Sequence, residues 1–176
     1  DTVDLLTTFE TETLARHILA VHPGGGVIHT VADSDVPLTK ITYLDDRYRV
    51  ELEEYLAERD LPPTTAGLLQ DAENRGVNHY PVEFEDIVSA ISENLGVDRK
   101  LAQKTKNTLA VAVSTALLRF PREYVEKALA QVWPGRQKII DLNVEAVEQA
   151  YAYVAENFGI SHFDIDLHGA ETDEQR

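Results

Sequence analysis

VDLLTTFETETLARHILAVHPGGGVIHTV, residues 3–31, decides the fold. Val3 to Phe9 is short, apolar and β-branched, the pattern of a buried strand. Glu10-Thr11-Glu12 then opens a helical repeat through Leu14, Ile18, Leu19 and Val21. His22-Pro23 and three glycines end that repeat, and Gly26 to Val31 predicts a second buried strand. Strand, helix and strand joined by short connections imply a right-handed parallel βαβ unit. The glycines do not make a phosphate loop. Such loops run strand, glycines, helix, so that helix amides face the anion, whereas here a helix precedes them and a strand follows. A left-handed helix cap with a tight turn is the expectation.

Downstream, DSDVPLTKITYLDD is a polar connection with a short strand expected at Lys40–Leu44. Tyr48, Leu52, Tyr55 and Leu56 recur at helical spacing amid charge, predicting an amphipathic helix from Asp45 to Arg59. Leu61-Pro62-Pro63 stops it. Thr64 or Thr65 caps a helix over Ala66–Asn74, which Gly76 closes. VNHYPVEF is strand-like, and Tyr80–Phe84 is a candidate for return to the same sheet. Helices follow at Glu85–Leu95, in a long element capped by Asp98, from Pro121 to Trp133, and at Asp141–Phe158. The expected fold class is α/β, a partial Rossmann-like parallel sheet with flanking helices and a mainly helical C-terminal half.

Composition limits function. A chain of 176 residues at 43% hydrophobic fits one ordinary domain. Sixteen Lys and Arg against 31 Asp and Glu give a net charge of -15, a field that repels nucleic acid while leaving room for a local basic patch. Without cysteine there is no disulfide, thiolate metal site or thiol nucleophile on this chain. No apolar run reaches the roughly 20 residues of a membrane helix, and no signal peptide is recognisable, so a cytoplasmic location is expected. The chain has no Met and opens directly on a strand, which suggests a piece of something longer.

Few residues qualify for chemistry. No Ser has a nucleophile-elbow context and no catalytic residue is assigned. His17 and His22 fall on different helical faces. In SHFDIDLHG, residues 161–169, His162, Asp164, Asp166 and His168 would share one strand face, yet neighbours there stand nearly 7 Å apart, so an edge strand is favoured over a metal site. KTKNTLAVAVSTALLRF, residues 104–120, sets basic residues before an apolar run, and Leu101, Thr105, Leu109, Ala112, Val113, Ala116, Leu117 and Phe120 make a continuous stripe at helical spacing. Val111 and Leu118 extend the apolar character nearly all round and predict burial of that half. Lys104, Lys106 and Asn107 occupy the emerging half. They are either a solvated helix end or a positive rim for an anionic ligand or an acidic partner.

The order and spacing of VDLLTTFETETLARHI, PPTTAGLLQDAENRGVNHYPVEFEDI, LAQKTKNTLAVAVSTALL and IIDLNVEAVEQAYAYV resemble the gamma domain of 2-oxoacid:ferredoxin oxidoreductases. The archaeal type, with the gamma domain fused ahead of the alpha domain, is the most similar. The glycine-rich strand-to-helix segment that opens that domain in the family is not in this sequence, nor are the thiamine-site residues. The resemblance implies that residues 1–159 are the later two thirds of a gamma-type domain. Residues 160–176 become a linker or edge strand leading toward a thiamine-binding domain. It further implies CoA-acylating oxidative decarboxylation of a 2-oxoacid with electrons passed to ferredoxin, in a complex with alpha and beta parts. Thiamine diphosphate, magnesium and an iron-sulfur cluster would then sit elsewhere in the complex, with no cofactor on this segment. Lys104, Lys106 and Asn107 become candidates for contact with coenzyme A or a neighbouring domain. The alternative is a free-standing α/β interaction or small-ligand-binding module.

Overall fold

The computed structural model describes residues 2–159 and divides the chain into two compact units, Asp1–Glu85 and Asp86–Arg176. The expected edge strand after Gly159 lies outside the described residues.

Unit 1 is built on a parallel sheet of order β1-β2-β3, formed by β1 (Val3–Thr7), β2 (Val21–Thr30) and β3 (Asn78–Val82). The βαβ reading of residues 3–31 is present: α1 (Thr11–His17) and a 3-10 turn (Ile18–Ala20) connect β1 to β2. β3 returns to the same sheet, as its apolar alternation suggested. Leu14, Ile18, Val21, Val27, Leu52, Leu56 and Leu68 pack in the core of this unit. Two helices complete it. In α2 (Asp46–Ala57) the Asp45 carboxylate accepts from the Arg47 and Tyr48 amides, and in α3 (Thr65–Asn74) the Thr64 hydroxyl accepts from the Gly67 amide. Gly76, at φ +84°, closes α3 with its amide on Glu73 O.

Two expectations change here. His22 to Gly26 do not cap a helix; they lie inside β2 as a bulge. Val3 pairs with Val21 and Leu5 with Gly26, so five steps of β2 match two of β1. Gly24 takes φ +86° and donates its amide to Gly76 O at 2.8 Å. No strand forms at Lys40–Leu44. That stretch is a 3-10 turn, Leu38–Lys40, followed by a bend that puts Tyr43 at φ +69°. Only Leu38, Ile41 and Leu44 are buried, a three-residue spacing that suits turns and not a pleat.

Unit 2 is helical, from α4 (Phe84–Leu95) through α5 (Arg99–Ala102), α6 (Lys106–Leu117) and α7 (Arg122–Val132) to α8 (Gln137–Asn157). Leu109, Ala112, Val113 and Leu117 of α6 are buried, as are Leu142, Ala146, Val147, Ala150 and Val154 of α8. The Thr108 hydroxyl donates to Asn143 Oδ1, and the Tyr151 hydroxyl donates to Phe120 O at 2.8 Å. The expected single long helix is broken. Asp98 caps only α5, and a 3-10 turn at Gln103–Thr105 precedes α6. Val111 is 55% exposed, so α6 is one-sided and not buried all round. Among the described residues no helix is long and apolar enough to cross a membrane.

Candidate functional site

Open α/β sheets present ligands at the carboxyl ends of their strands, where loops diverge and backbone groups are free of the ladder. In unit 1 a cleft of about 350 Å³ opens at the carboxyl ends of β1 and β2. Three separate stretches line it: Phe9 to Glu12 after β1, Asp33 after β2, and Lys40, Thr42 and Tyr43 before α2.

Each stretch is fixed locally. The Thr8 hydroxyl donates to Glu10 O at 2.9 Å and accepts from the Glu10 amide at 3.0 Å, turning the chain out of β1. The ring of Phe9 packs edge-on against Phe84, with centroids 4.4 Å apart. Asp33 is anchored through its carbonyl, which accepts from the Thr65 hydroxyl at 2.6 Å, while that hydroxyl accepts from the Val36 amide. Glu12 pairs with Arg16 at 2.7 Å, and the far end of Arg16 donates to Tyr43 O at 2.9 Å. That contact holds Tyr43 in a left-handed conformation that costs a residue with a Cβ about 1 kcal/mol or more, with its side chain standing in solvent, 84% exposed.

The electrostatics are uneven. Asp33 Oδ2 is buried and has no hydrogen-bond partner among the described residues. Burial pushes the Asp33 carboxyl above the usual carboxylate range, and the nearby charge of Glu10 pushes it the same way. The cleft brings a carboxyl group at Asp33, the exposed Tyr43 ring and the Lys40 cation to one edge of the sheet.

The residues singled out from sequence lie in unit 2. Lys104 and Asn107 are exposed and Lys106 is half-buried, with Thr105 buried between them and its hydroxyl on Ala102 O at 2.7 Å. The inward turn of Thr105 leaves the other three at the rim where α6 begins. A groove of about 290 Å³ also runs between α4 and α8, past Asp86, Ala90, Tyr153 and Glu156. Sequence reasoning missed the carboxyl-edge cleft, although Glu10 and Asp33 follow closely on predicted strands; Lys40, Thr42 and Tyr43 fell inside the expected strand that does not form. Among the described residues no three His, Asp or Glu side chains converge for a metal ion. His22 pairs with Asp4 at 2.6 Å, and the residues His162 to His168 lie outside the described range.

The family model described as pyruvate ferredoxin/flavodoxin oxidoreductase matches residues 1–153. The chain is 27% identical over 157 residues to the protein named 2-oxoacid:ferredoxin oxidoreductase 2, subunit alpha, of Aeropyrum pernix, which covers 89% of this chain and 24% of that relative. It is 20% identical over 159 residues to 2-oxoacid:ferredoxin oxidoreductase 1, subunit alpha, of Sulfurisphaera tokodaii, covering 90% and 25% respectively. The chain thus spans about a quarter of the length of the curated relatives it matches.

Proposed function

The chain belongs to the pyruvate ferredoxin/flavodoxin oxidoreductase family, and from that premise we propose that it is a structural and subunit-packing segment of a 2-oxoacid:ferredoxin oxidoreductase. In that role it frames coenzyme A and leaves the chemistry to other parts of a cytoplasmic complex. The observation that carries the proposal is the family match over residues 1–153, together with the similarity to proteins named as subunits alpha of such oxidoreductases.

The whole complex would decarboxylate a 2-oxoacid oxidatively, transfer the acyl group to coenzyme A and pass electrons to ferredoxin. This chain has no cysteine to ligate an iron-sulfur cluster. On this proposal thiamine diphosphate, magnesium and the cluster sit elsewhere in the complex. Coenzyme A is a different case, because its phosphates are large anions that Lys104, Lys106 and Asn107 are chemically suited to meet.

The test uses the full-length subunit assembled with its partners, assayed for ferredoxin reduction dependent on a 2-oxoacid and coenzyme A. In the double variant Lys104→Ala, Lys106→Ala, the Michaelis constant for coenzyme A should rise several-fold or co-purification with the partner subunit should weaken. Both unchanged would remove these residues from the proposal. No coenzyme-A-dependent activity with any 2-oxoacid would remove the proposal itself. A stable natural monomer near 19.7 kDa would instead favour a small-ligand-binding module, with the cleft beside Asp33 as its site.

A further inference from the structure

Two histidines that the proposed function does not use meet across the seam between β2 and β3. His29 is fully buried on β2. His79 of β3 aligns with Val27, so His79 and His29 fall on the same face of the sheet. Their rings stack with centroids 5.7 Å apart and 20° between planes. Thr30 O lies 3.0 Å from His29 Nδ1, and a carbonyl only accepts, so Nδ1 carries the hydrogen and Nε2 of the neutral ring keeps its lone pair. That lone pair is 3.5 Å from His79 Nδ1, while His79 Nε2 lies 2.6 Å from Glu73 Oε1.

We propose that Glu73, His79 and His29 form a one-proton array that works as an acid-sensitive latch on the β2–β3 seam. With a hydrogen on each of its ring nitrogens, His79 donates Nε2–H to the Glu73 carboxylate and Nδ1–H to His29, and the polar atoms of the array are matched. A second proton has no acceptor. It would set N–H against N–H and place two cations side by side with His29 shut away from water. Burial, the largest effect, and the charge of His79 lower the His29 pKa, opposed by the Thr30 carbonyl.

Among the described residues, other titratable groups stand on the elements around this seam. From α3 come Glu73, already engaged by His79, and Asp71 with Arg75, which pair with each other at 2.9 Å. After β1 come Thr8, which is uncharged, and Glu10, after β2 Asp33, and after β3 Glu83 and Glu85. The sign follows. His29 in an opened seam takes a proton near its ordinary value of about 6.5, and in the closed seam it does so only at lower pH. The contribution of His29 to the stability of the closed seam is complete above about pH 6.5 and falls as pH drops toward the lowered folded value, with opening rising by up to about tenfold per pH unit.

Hydrogen-deuterium exchange of the full protein, corrected for the intrinsic pH dependence of amide exchange, reads this directly. Between pH 7.5 and 5.0 the peptides spanning residues 21–30 and 78–82 should open progressively while those of α6 and α8 do not. His29→Gln should abolish that pH dependence. His79→Gln, which removes the facing charge, should shorten the pH range over which it develops, and it decides the matter alone if the His29 variant fails to fold. Unchanged slopes in either variant, or an equal rise in α6 and α8, overturn the latch.

Discussion

Arg75, the residue that caps the C-terminus of α3, meets Asp71 one turn earlier at 2.9 Å, with the Asp71 side chain only 5% exposed. The other end of the same guanidinium donates to Val21 O at 2.8 Å and Ile18 O at 3.1 Å. One side chain therefore satisfies the carbonyls at the turn into β2 and neutralises a buried carboxylate. Asp71 also accepts from the Tyr55 hydroxyl at 3.1 Å. Removing Arg75 leaves the buried carboxylate to Tyr55 and to Arg59 at 3.5 Å, and leaves two peptide acceptors without their donor, a loss of about 2 kcal/mol. The urea midpoint of Arg75→Ala should fall accordingly. A shift no larger than that of an exposed Arg47→Ala control would show the contact to be inconsequential.

Gly67 gives a case where local propensity and packing pull in opposite directions. In the middle of an exposed helix, Gly→Ala gains about 1 kcal/mol. Here, a Cβ on Gly67 would lie 2.0 Å from Pro62 O, a backbone atom that cannot swing aside. The Leu61-Pro62-Pro63 stretch runs directly against the first turn of α3, and the missing side chain is what permits it. Gly67→Ala is expected to lose about 2 kcal/mol despite its better helix propensity. Chemical denaturation decides it, and a stabilised variant would contradict the close approach.

These two residues also show where the sequence was legible. Apolar runs broken by Pro, Gly and capping residues located β1, α2, α3, β3 and the two final helices, because those signals act over one or two turns of chain. The bulge in β2 was not legible, since the glycines that terminate a helix are the same glycines that allow a φ of +86° inside a strand. The break before α6 depends on the Thr105 hydroxyl turning back to Ala102 O, which a helical stripe does not reveal. The cleft escaped notice because Glu10, Asp33 and Tyr43 come from three loops and carry no common motif. KTKN was visible as an emerging rim, but nothing in its own residues says what it faces.

Asp33 supplies a pH prediction of opposite sign to that of His29. Its carboxyl is raised first by burial and then by Glu10, so the folded state holds the proton more tightly than the unfolded chain does. The associated stability is full below about pH 4, the ordinary carboxylate range, and is lost as pH rises through the raised folded value. Asp33→Asn cannot lose a proton. The stability difference between variant and wild type should therefore shift in the variant's favour from pH 4 to pH 7. Urea midpoints measured at several pH values would show a constant difference if Asp33 titrated alike in both states.

Leu109 and Val111 separate core packing from assembly on the same helix. Leu109 is fully buried, and Leu109→Ala should cost about 3 kcal/mol through lost burial and the cavity left behind. Val111 is 55% exposed on the other side of α6, where Val111→Ser should change stability by no more than about 0.5 kcal/mol. The proposed subunit-packing role adds a second expectation. A face covered only in the assembled complex has little effect on the unfolding of this chain yet matters for association, so Val111→Glu should weaken co-purification with a partner subunit while leaving the denaturation midpoint nearly unchanged. Loss of stability and association in parallel would instead place Val111 in this chain's own core, and retention of both would leave that face of α6 in solvent and outside the packing surface.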